Sequence, residues 1–363
     1  MRYKIDEIVQ LIMDYRGKTP KKLGMNWTES QKDIIALSAK NIKDNKIVNT
    51  DKSHYGSELL YKHWMKDGDI EPGDILMTSE APLGEIYLVS KPIKAILSQR
   101  LFLLRFNKKI VNPWYMYAFM NSQSFKNQLL LRATGTTVVG IKQKDLRKIE
   151  VELPSRELQN KIGSIFQFLY KKIHINGRIN DNLLELAKAV FNKNVNSCSK
   201  TLLSNYFLPK RGKNLVKKNV IPGTIPVIAG GRIPAVFHNK SNTMAPVITI
   251  SASGANAGYV QIWGIKVWSS DSSFVDESVA NNIYFWYLLL KKYQKQIYES
   301  QTGSAQPHIY PKNIGNLLIP VVSDETRLNI NEKVKPIFNN IFKNKHENNL
   351  LNNLKIILLE KYF

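Results

Sequence analysis

Residues 155–194 carry their apolar side chains at one repeating spacing, and any fold of this chain has to accommodate it. Leu158, Ile165, Ile179 and Leu186 fall in one heptad column (d), and Ile162, Leu169, Leu183 and Val190 fall in the other (a). Only Lys172, at a d slot, and Asn176, at an a slot, interrupt the seam. Steps alternating between three and four are the spacing of a helix that pairs with another helix. At 1.5 Å per residue, roughly 35 residues make a rod of about 50 Å. Ser155, following Pro154, can cap its start. Left without a partner, the seam would hold about eight large apolar side chains in water, at ~1.5–3 kcal/mol each. A second long helix is therefore required.

The C-terminal segment supplies it. Ile330, Val334, Ile337 and Ile341 are followed by polar Asn344 and Asn348, then by Leu351, Lys355, Leu358 and Tyr362 at the same steps. Pro336 should kink this helix or move its start later. The resemblance of the two ends extends inward. Thr302-Gly303-Ser304 with Ile309, Lys312 and Ile314 matches Thr134-Gly135-Thr136 with Ile141, Lys144 and Leu146, at an offset of about 168. Asn281-Asn282-Ile283-Tyr284 matches Asn112-Pro113-Trp114-Tyr115, and Arg211-Gly212-Lys213 echoes Arg16-Gly17-Lys18. The chain reads as a duplicated α+β unit with boundaries at 1–154, 155–194, 195–321 and 322–363. The two helices are expected to run antiparallel, as a coiled-coil spacer with pseudo-twofold symmetry, their polar middles facing each other. Buried Asn at such slots weakens a coiled coil but fixes its register.

Outside the helices, Ile75-Leu76-Met77, Ile86-Tyr87-Leu88-Val89 and Leu101-Phe102-Leu103-Leu104 are short apolar runs between turn residues, which predicts strands. Asn112-Pro113 predicts a helix start, the helix running to about Leu131. Residues 195–201 are mostly small and polar and read as a linker.

At 363 residues and 43% hydrophobic the chain can bury real cores. It has no uninterrupted apolar run of ~18 residues and no apolar N-terminal signal core. The lone Cys198 excludes an intramolecular disulfide framework and a cysteine-cluster metal site. A cytoplasmic protein is expected, not a membrane one. The formal net charge of +23 favours a polyanionic partner, most simply nucleic acid.

Catalytic motifs are missing. No phosphate-cradling glycine loop occurs, the histidines are scattered without ligand spacing, and no cofactor or metal is implied. Asn112-Pro113-Trp114-Tyr115 is similar to the Asn-Pro-Pro-Tyr loop of amino-methyltransferases, but Trp replaces the second Pro and the second copy loses the first. A helix start with an aromatic packing residue describes both copies better. What remains is binding chemistry in polar and basic loops. In the first half the candidates are Arg16, Lys18, Ser79, Gln99, Arg100, Lys142 and Lys144; in the second they are Arg211, Lys213, Arg232, Ser253, Ser270, His308 and Lys312. Arg and Gln can read guanine and adenine edges bidentately, while Lys and Ser suit phosphates.

These features together resemble the specificity subunit of type I restriction–modification systems. The carriers are Ala133-Thr134-Gly135-Thr136-Thr137 with Ile141 and Asp145-Leu146, then residues 149–154 and Glu157-Leu158-Gln159, and in the second half residues 301–309. The resemblance implies two target-recognition domains held apart by the helices, each reading half of a split double-stranded DNA site in the major groove. It implies docking of two modification (methyltransferase) subunits on the helices and association with restriction subunits, with catalysis in those partners. In the second half only Glu325 of the Glu-Leu-Gln triplet is kept. Two other readings stand beside this one: a self-contained DNA methyltransferase or nuclease, and a coiled-coil scaffold without a DNA role.

Overall fold

The computed structural model describes residues 1–195, 199–303 and 306–363. Asn196, Ser197 and Cys198 of the expected linker, and Ser304 and Ala305 of the repeated motif, lie outside the described residues. The chain divides into two compact units, Met1–Ile173 with Leu350–Phe363, and His174–Asn349. The units thus share both long helices, whereas the sequence boundaries set the helices apart as elements of their own.

In unit 1, β1 (Arg2–Lys4) runs through α1 (Ile5–Ile8) into β2 (Val9–Asp14). Next come β3 (Ile34–Leu37), β4 (Ile42–Lys43), β5 (Lys46–Ile47), β6 (His54–Gly56), α2 (Glu58–Trp64), β7 (Ile75–Thr78), β8 (Ile86–Leu88), β9 (Ile96–Leu97) and β10 (Leu101–Phe106). The helices α3 (Pro113–Asn121), α4 (Gln123–Arg132) and α5 (Gln143–Leu146) lead to β11 (Glu150–Glu152) and the 39-residue α6 (Arg156–Asn194). The main sheet is antiparallel in the order β2-β10-β7-β8. A second sheet, β6-β3-β9, has one antiparallel and one parallel pair. The apolar runs are unbroken because the main sheet is covered on both faces. Ile75, Met77, Phe102 and Leu104 enter a core with α3, α4 and α6, while Leu76, Leu101 and Leu103 enter a second core with α2 and β9. The single helix expected over 112–131 is two helices. Ser122 separates them, its Oγ accepting the Phe125 N–H at 3.2 Å to cap α4.

Unit 2 repeats the plan with β12 (Lys200–Leu202), β13 (Lys210–Arg211), β14 (Ile225–Ile228), β15 (Val236–His238), β16 (Val247–Ser251), β17 (Val260–Trp263), β18 (Trp268–Ser269) and β19 (Ser272–Val275). These are followed by α7 (Ile283–Lys292), α8 (Gln294–Glu299), α9 (Pro311–Gly315), β20 (Leu318–Pro320) and α10 (Asp324–Tyr362). The order β13-β19-β16-β17 is that of β2-β10-β7-β8, and β15-β14-β18 pairs as β6-β3-β9 does. The pair β12-β20 repeats β1-β11. The β4–β5 hairpin of unit 1 has no counterpart among the described residues of unit 2.

The long helices pack together within each unit. In unit 1, Ile162 and Phe166 of α6 share a core with Leu358, Leu359, Tyr362 and Phe363. In unit 2, Ala187 and Phe191 share one with Ile330, Val334, Phe338 and Ile341. Towards residue 174 the seam turns polar. Asn176, 1% exposed, donates to Glu347 Oε2 at 2.8 Å and Asn348 Oδ1 at 3.0 Å, and Asn344 donates to Asn180 Oδ1 at 2.9 Å.

The expected α6 seam needs a correction. Leu158, Ile179 and Leu186 are exposed (41, 43 and 51%), and Ile165 is half-buried. The buried column lies one residue later, at Gln159, Phe166 and Ala187, beside Ile162, Leu169 and Asn176. Leu183 and Val190 lie against the core half-buried. The helix must cover a globular core as well as a partner helix, so its buried stripe is rotated from a two-helix seam. On α10, Val334 and Ile341 are buried, and Ile337, Leu351 and Leu358 are half-buried. Pro336 neither ends this helix nor delays its start; it sits on the exposed side together with Glu332, whose carbonyl it leaves without its helical partner.

Candidate nucleic-acid interface

At one end of the unit 1 main sheet, three loops are tied together by backbone hydrogen bonds. The Ser79 N–H donates to Arg100 O at 2.9 Å, and the Ile141 N–H donates to Ser79 O at 3.0 Å. Glu80 and Thr134 both bridge Gly140. Unit 2 repeats these bonds position for position. Ala252 donates to Asp271 O at 3.2 Å, Ile309 donates to Ala252 O at 2.9 Å, and Ser253 and Thr302 both bridge His308. Gly84 and Gly258, both at positive φ, close the adjoining strand turns with equivalent bonds to Thr78 O and Ser251 O. Ser79, Glu80, Glu85 and Arg100 therefore correspond to Ala252, Ser253, Tyr259 and Asp271.

Side chains at these matched places differ. In unit 1, Arg100 (φ +62) holds Glu80, Nε to Oε1 at 2.9 Å, both partly exposed. In unit 2, Asp271 accepts from Ser253 Oγ and, at 2.9 Å, from Arg211 Nη2. A Cβ on Gly230 would lie 2.7 Å from Ser253 O, and one on Gly212 would lie 2.5 Å from Ser269 O, so both glycines let loops close over this pair.

Several expected contacts are committed elsewhere. Arg16 donates to Asp14 and, at 3.1 Å, to Ile141 O, with its guanidinium 4.6 Å from the Phe102 ring centroid; it bolts the loops together. Lys18 donates to Trp64 O at 2.7 Å over the Tyr15 ring, and burial lowers its pKa. Gln99 bonds the backbone of Lys18 and Gly17. Lys142 and Lys144 are exposed beside Asp145, whose carboxyl is held below its usual range by Lys148 first and then by these lysines. In unit 2, Lys213 and Lys312 are exposed, and His308 stacks on Tyr310. Arg232 donates to Asn256 Oδ1 at 3.0 Å and lies over Tyr259.

Two expected contacts are corrected. Ser79 is fully buried, its Oγ without a partner among the described residues, and Ser270 is buried with its Oγ accepting the Leu215 N–H at 3.0 Å. Neither hydroxyl faces solvent. The strand alternation continues past the sheet edge, so the outward residues are the next ones, Glu80 and Asp271. Those carboxylates, with Asp14 and Tyr259, are what sequence reasoning passed over; for Glu80 and Asp271 the signal was a one-residue shift inside loops already singled out, and Asp14 and Tyr259 lay outside them.

Asn112 has a structural role. Its Oδ1 accepts the Trp114 and Tyr115 N–H groups at 2.9 and 3.2 Å, capping α3, and its amide donates to Asn160. Among the described residues no cluster of His, Cys, Asp and Glu is arranged to hold a metal ion, and no helix is long and apolar enough to cross a membrane.

The family model for the type I restriction modification DNA specificity domain matches residues 1–185 and 207–353. A type I restriction enzyme MjaIX specificity subunit of Methanocaldococcus jannaschii is 22% identical over 344 residues, covering 80% of this chain and 76% of its own. A putative type I specificity subunit of Mycoplasma genitalium is 26% identical over 229 residues, covering 57% of this chain and 59% of its own. The crystal structure of a type I restriction-modification system S subunit from M. genitalium aligns over 100% of this chain and 96% of that chain, with a TM-score of 0.64 at 18% identity. That alignment speaks to the fold.

Proposed function

The chain belongs to the type I restriction–modification DNA specificity family, and from that premise we propose that each unit reads one half of a split duplex DNA target through its loop cluster. As a specificity subunit the chain is the non-catalytic recognition component of its system. The observation that carries the reading is the repeated loop frame. Two clusters keep one backbone hydrogen-bond pattern and differ in the side chains they present, Glu80 with Arg100 against Ser253, Asp271 and Arg211. Such clusters suit two base sequences read by one architecture. Lys142, Lys144, Lys213, His308 and Lys312 supply phosphate and edge contacts around them, and the net charge of +23 makes affinity strongly salt-dependent.

The two long helices, in this reading, set the gap between the half-sites and dock two modification subunits, which bring the methyl-transfer chemistry; restriction subunits join through them. Support for docking comes from the residues that the α6 seam leaves out. In unit 1 Leu158 and Phe168 are exposed, and in unit 2 Ile175, Ile179 and Leu186 are exposed. Exposed apolar residues at heptad spacing call for another helix.

Exchanging residues 1–154 for those of a relative should change one half of the methylated sequence and leave the other. Inserting one heptad after Leu169 should widen the gap with both halves intact; unchanged spacing refutes the ruler role. Gel shifts should show weak, salt-sensitive binding by the chain alone and sequence-specific binding only with modification subunits. Methylation or cleavage by the chain unaided would overturn the assignment.

A further inference from the structure

One cluster of cations lies outside the loops that face each other at the sheet end. Tyr259, just before β17, carries the Arg232 guanidinium 4.7 Å and the Lys291 ammonium 4.9 Å from its ring centroid. Arg232 comes from the β14–β15 loop and is pinned by Asn256. Lys291 comes from α7 and donates to Gln294 Oε1 at 3.1 Å and Val260 O at 3.4 Å. Its bonds go to neutral oxygens, not to a carboxylate. Its charged neighbours are Lys188 and Arg232, both of which, after burial, push its pKa below the ordinary lysine range. Lys188 pairs with the Glu185 carboxylate at 2.7 Å, and among the described residues neither Arg232 nor Lys291 has a carboxylate partner. The site therefore gathers positive charge at a cost that an anion would relieve.

We propose that Arg232 and Lys291, both packed against the Tyr259 ring, form a phosphate-binding site on the flank of unit 2 that takes a backbone phosphodiester of the bound duplex. The proposal rests on the DNA-reading function and adds to it a contact with no base information. Guanidinium and ammonium together match a phosphate's acceptor oxygens, and the shared ring, with the Asn256 and Gln294 bonds, positions both cations. Unit 1 lacks the site. Glu85 stands where Tyr259 does, and its carboxylate accepts the Asp44 N–H at 3.0 Å, so the ring that positions the cations is missing there.

The test uses the full chain and a duplex of unrelated sequence, with apparent affinity followed against salt. Lys291→Met and Arg232→Gln should each flatten the slope of log K on log salt by about one. Tyr259→Ala should flatten it further and Tyr259→Phe should not. Lys291 should be protected from amine-reactive labelling by the duplex and not by inorganic phosphate. Arg232→Gln tests the site at an exposed position that folding does not depend on. Unchanged slopes in both cation variants overturn the proposal, and so does protection by inorganic phosphate alone, which would mark a small-anion site. If slopes are unchanged while the complex with modification subunits still reads its target, the flank site fails and the parent function stands. If the parental chain shows no salt-sensitive binding with or without those subunits, the parent function fails with it.

Discussion

Unit 1 places Arg100 and Glu80 where unit 2 places Asp271 and Ser253, and the backbone around them is bonded identically. One unit offers a cation held by a carboxylate; the other offers a carboxylate held by a hydroxyl and by Arg211 from the neighbouring strand. The difference shows how the frame is divided. Backbone N–H and C=O groups, present whatever the side chains, fix the loops. The outward side chains are then free to change without loss of fold. The proposed reading groups sit only on positions of that second kind.

The sharpest way to break this comparison is to move one pair onto the other frame. Glu80→Ser with Arg100→Asp puts the unit 2 chemistry into unit 1. Each good base contact is worth about 1–3 kcal/mol of discrimination, so roughly 100-fold of specificity should be lost in one half-site. The other half should be read as before. Sequencing of methylated sites in the assembled complex measures both halves at once, and loss in both would show that the clusters are not independent.

The helix starts that dock on α6 and α10 give a second contrast. In unit 1, Asn112 caps its own helix, and Gly163 of α6 leaves the room; a Cβ there would lie 2.6 Å from Asn112 Oδ1. In unit 2 the residue 168 positions on from Gly163 is Asn331 of α10, and its Oδ1 takes the Tyr284 and Phe285 N–H groups at 3.1 and 3.5 Å. Asn282 has meanwhile moved to a left-handed backbone with no capping bond. The same cap is supplied from opposite sides. Gly163→Asn should therefore cost ~1–3 kcal/mol by overpacking. Adding Asn112→Ala should recover more than half of that loss, because the new amide can take over the cap. Failure to recover, followed by chemical denaturation, would mean that the two solutions are not interchangeable. Alone, Asn331→Ala should cost about 2 kcal/mol by orphaning buried donors, and Asn112→Ala about 1 kcal/mol as a local cap.

Much of this was legible in the sequence. The duplication, the strands and both long helices follow from periods and repeated residues, which report on burial directly. Three things were not legible. The α6 seam was displaced by one column, because heptad spacing counts apolar residues without saying which of two neighbouring stripes meets a core. Leu158, Ile179 and Leu186 fit the spacing and face out. Pro336 looked like a helix breaker, but a proline costs least on the exposed side of a helix. The Arg232–Tyr259–Lys291 cluster joins three elements distant in sequence, and no local pattern announces it.

Ser79 makes the smallest and most discriminating test, because sequence and structure assign it opposite roles. As a loop serine beside Arg100 it was expected to meet DNA. Its Oγ is instead buried with no partner among the described residues, and unit 2 has Ala252 in the same place. An unpaired buried hydroxyl carries a desolvation penalty, and its removal leaves a space of only one atom. Ser79→Ala should therefore leave the fold equally stable or more stable by up to ~1 kcal/mol, with DNA affinity and methylated sequence unchanged. A stability loss beyond ~1 kcal/mol would mean that the hydroxyl has a partner, such as an ordered water. A drop in affinity at unchanged stability would place Ser79 on the reading edge, and the equivalence of Glu80 with Ser253 would then have to shift by one residue.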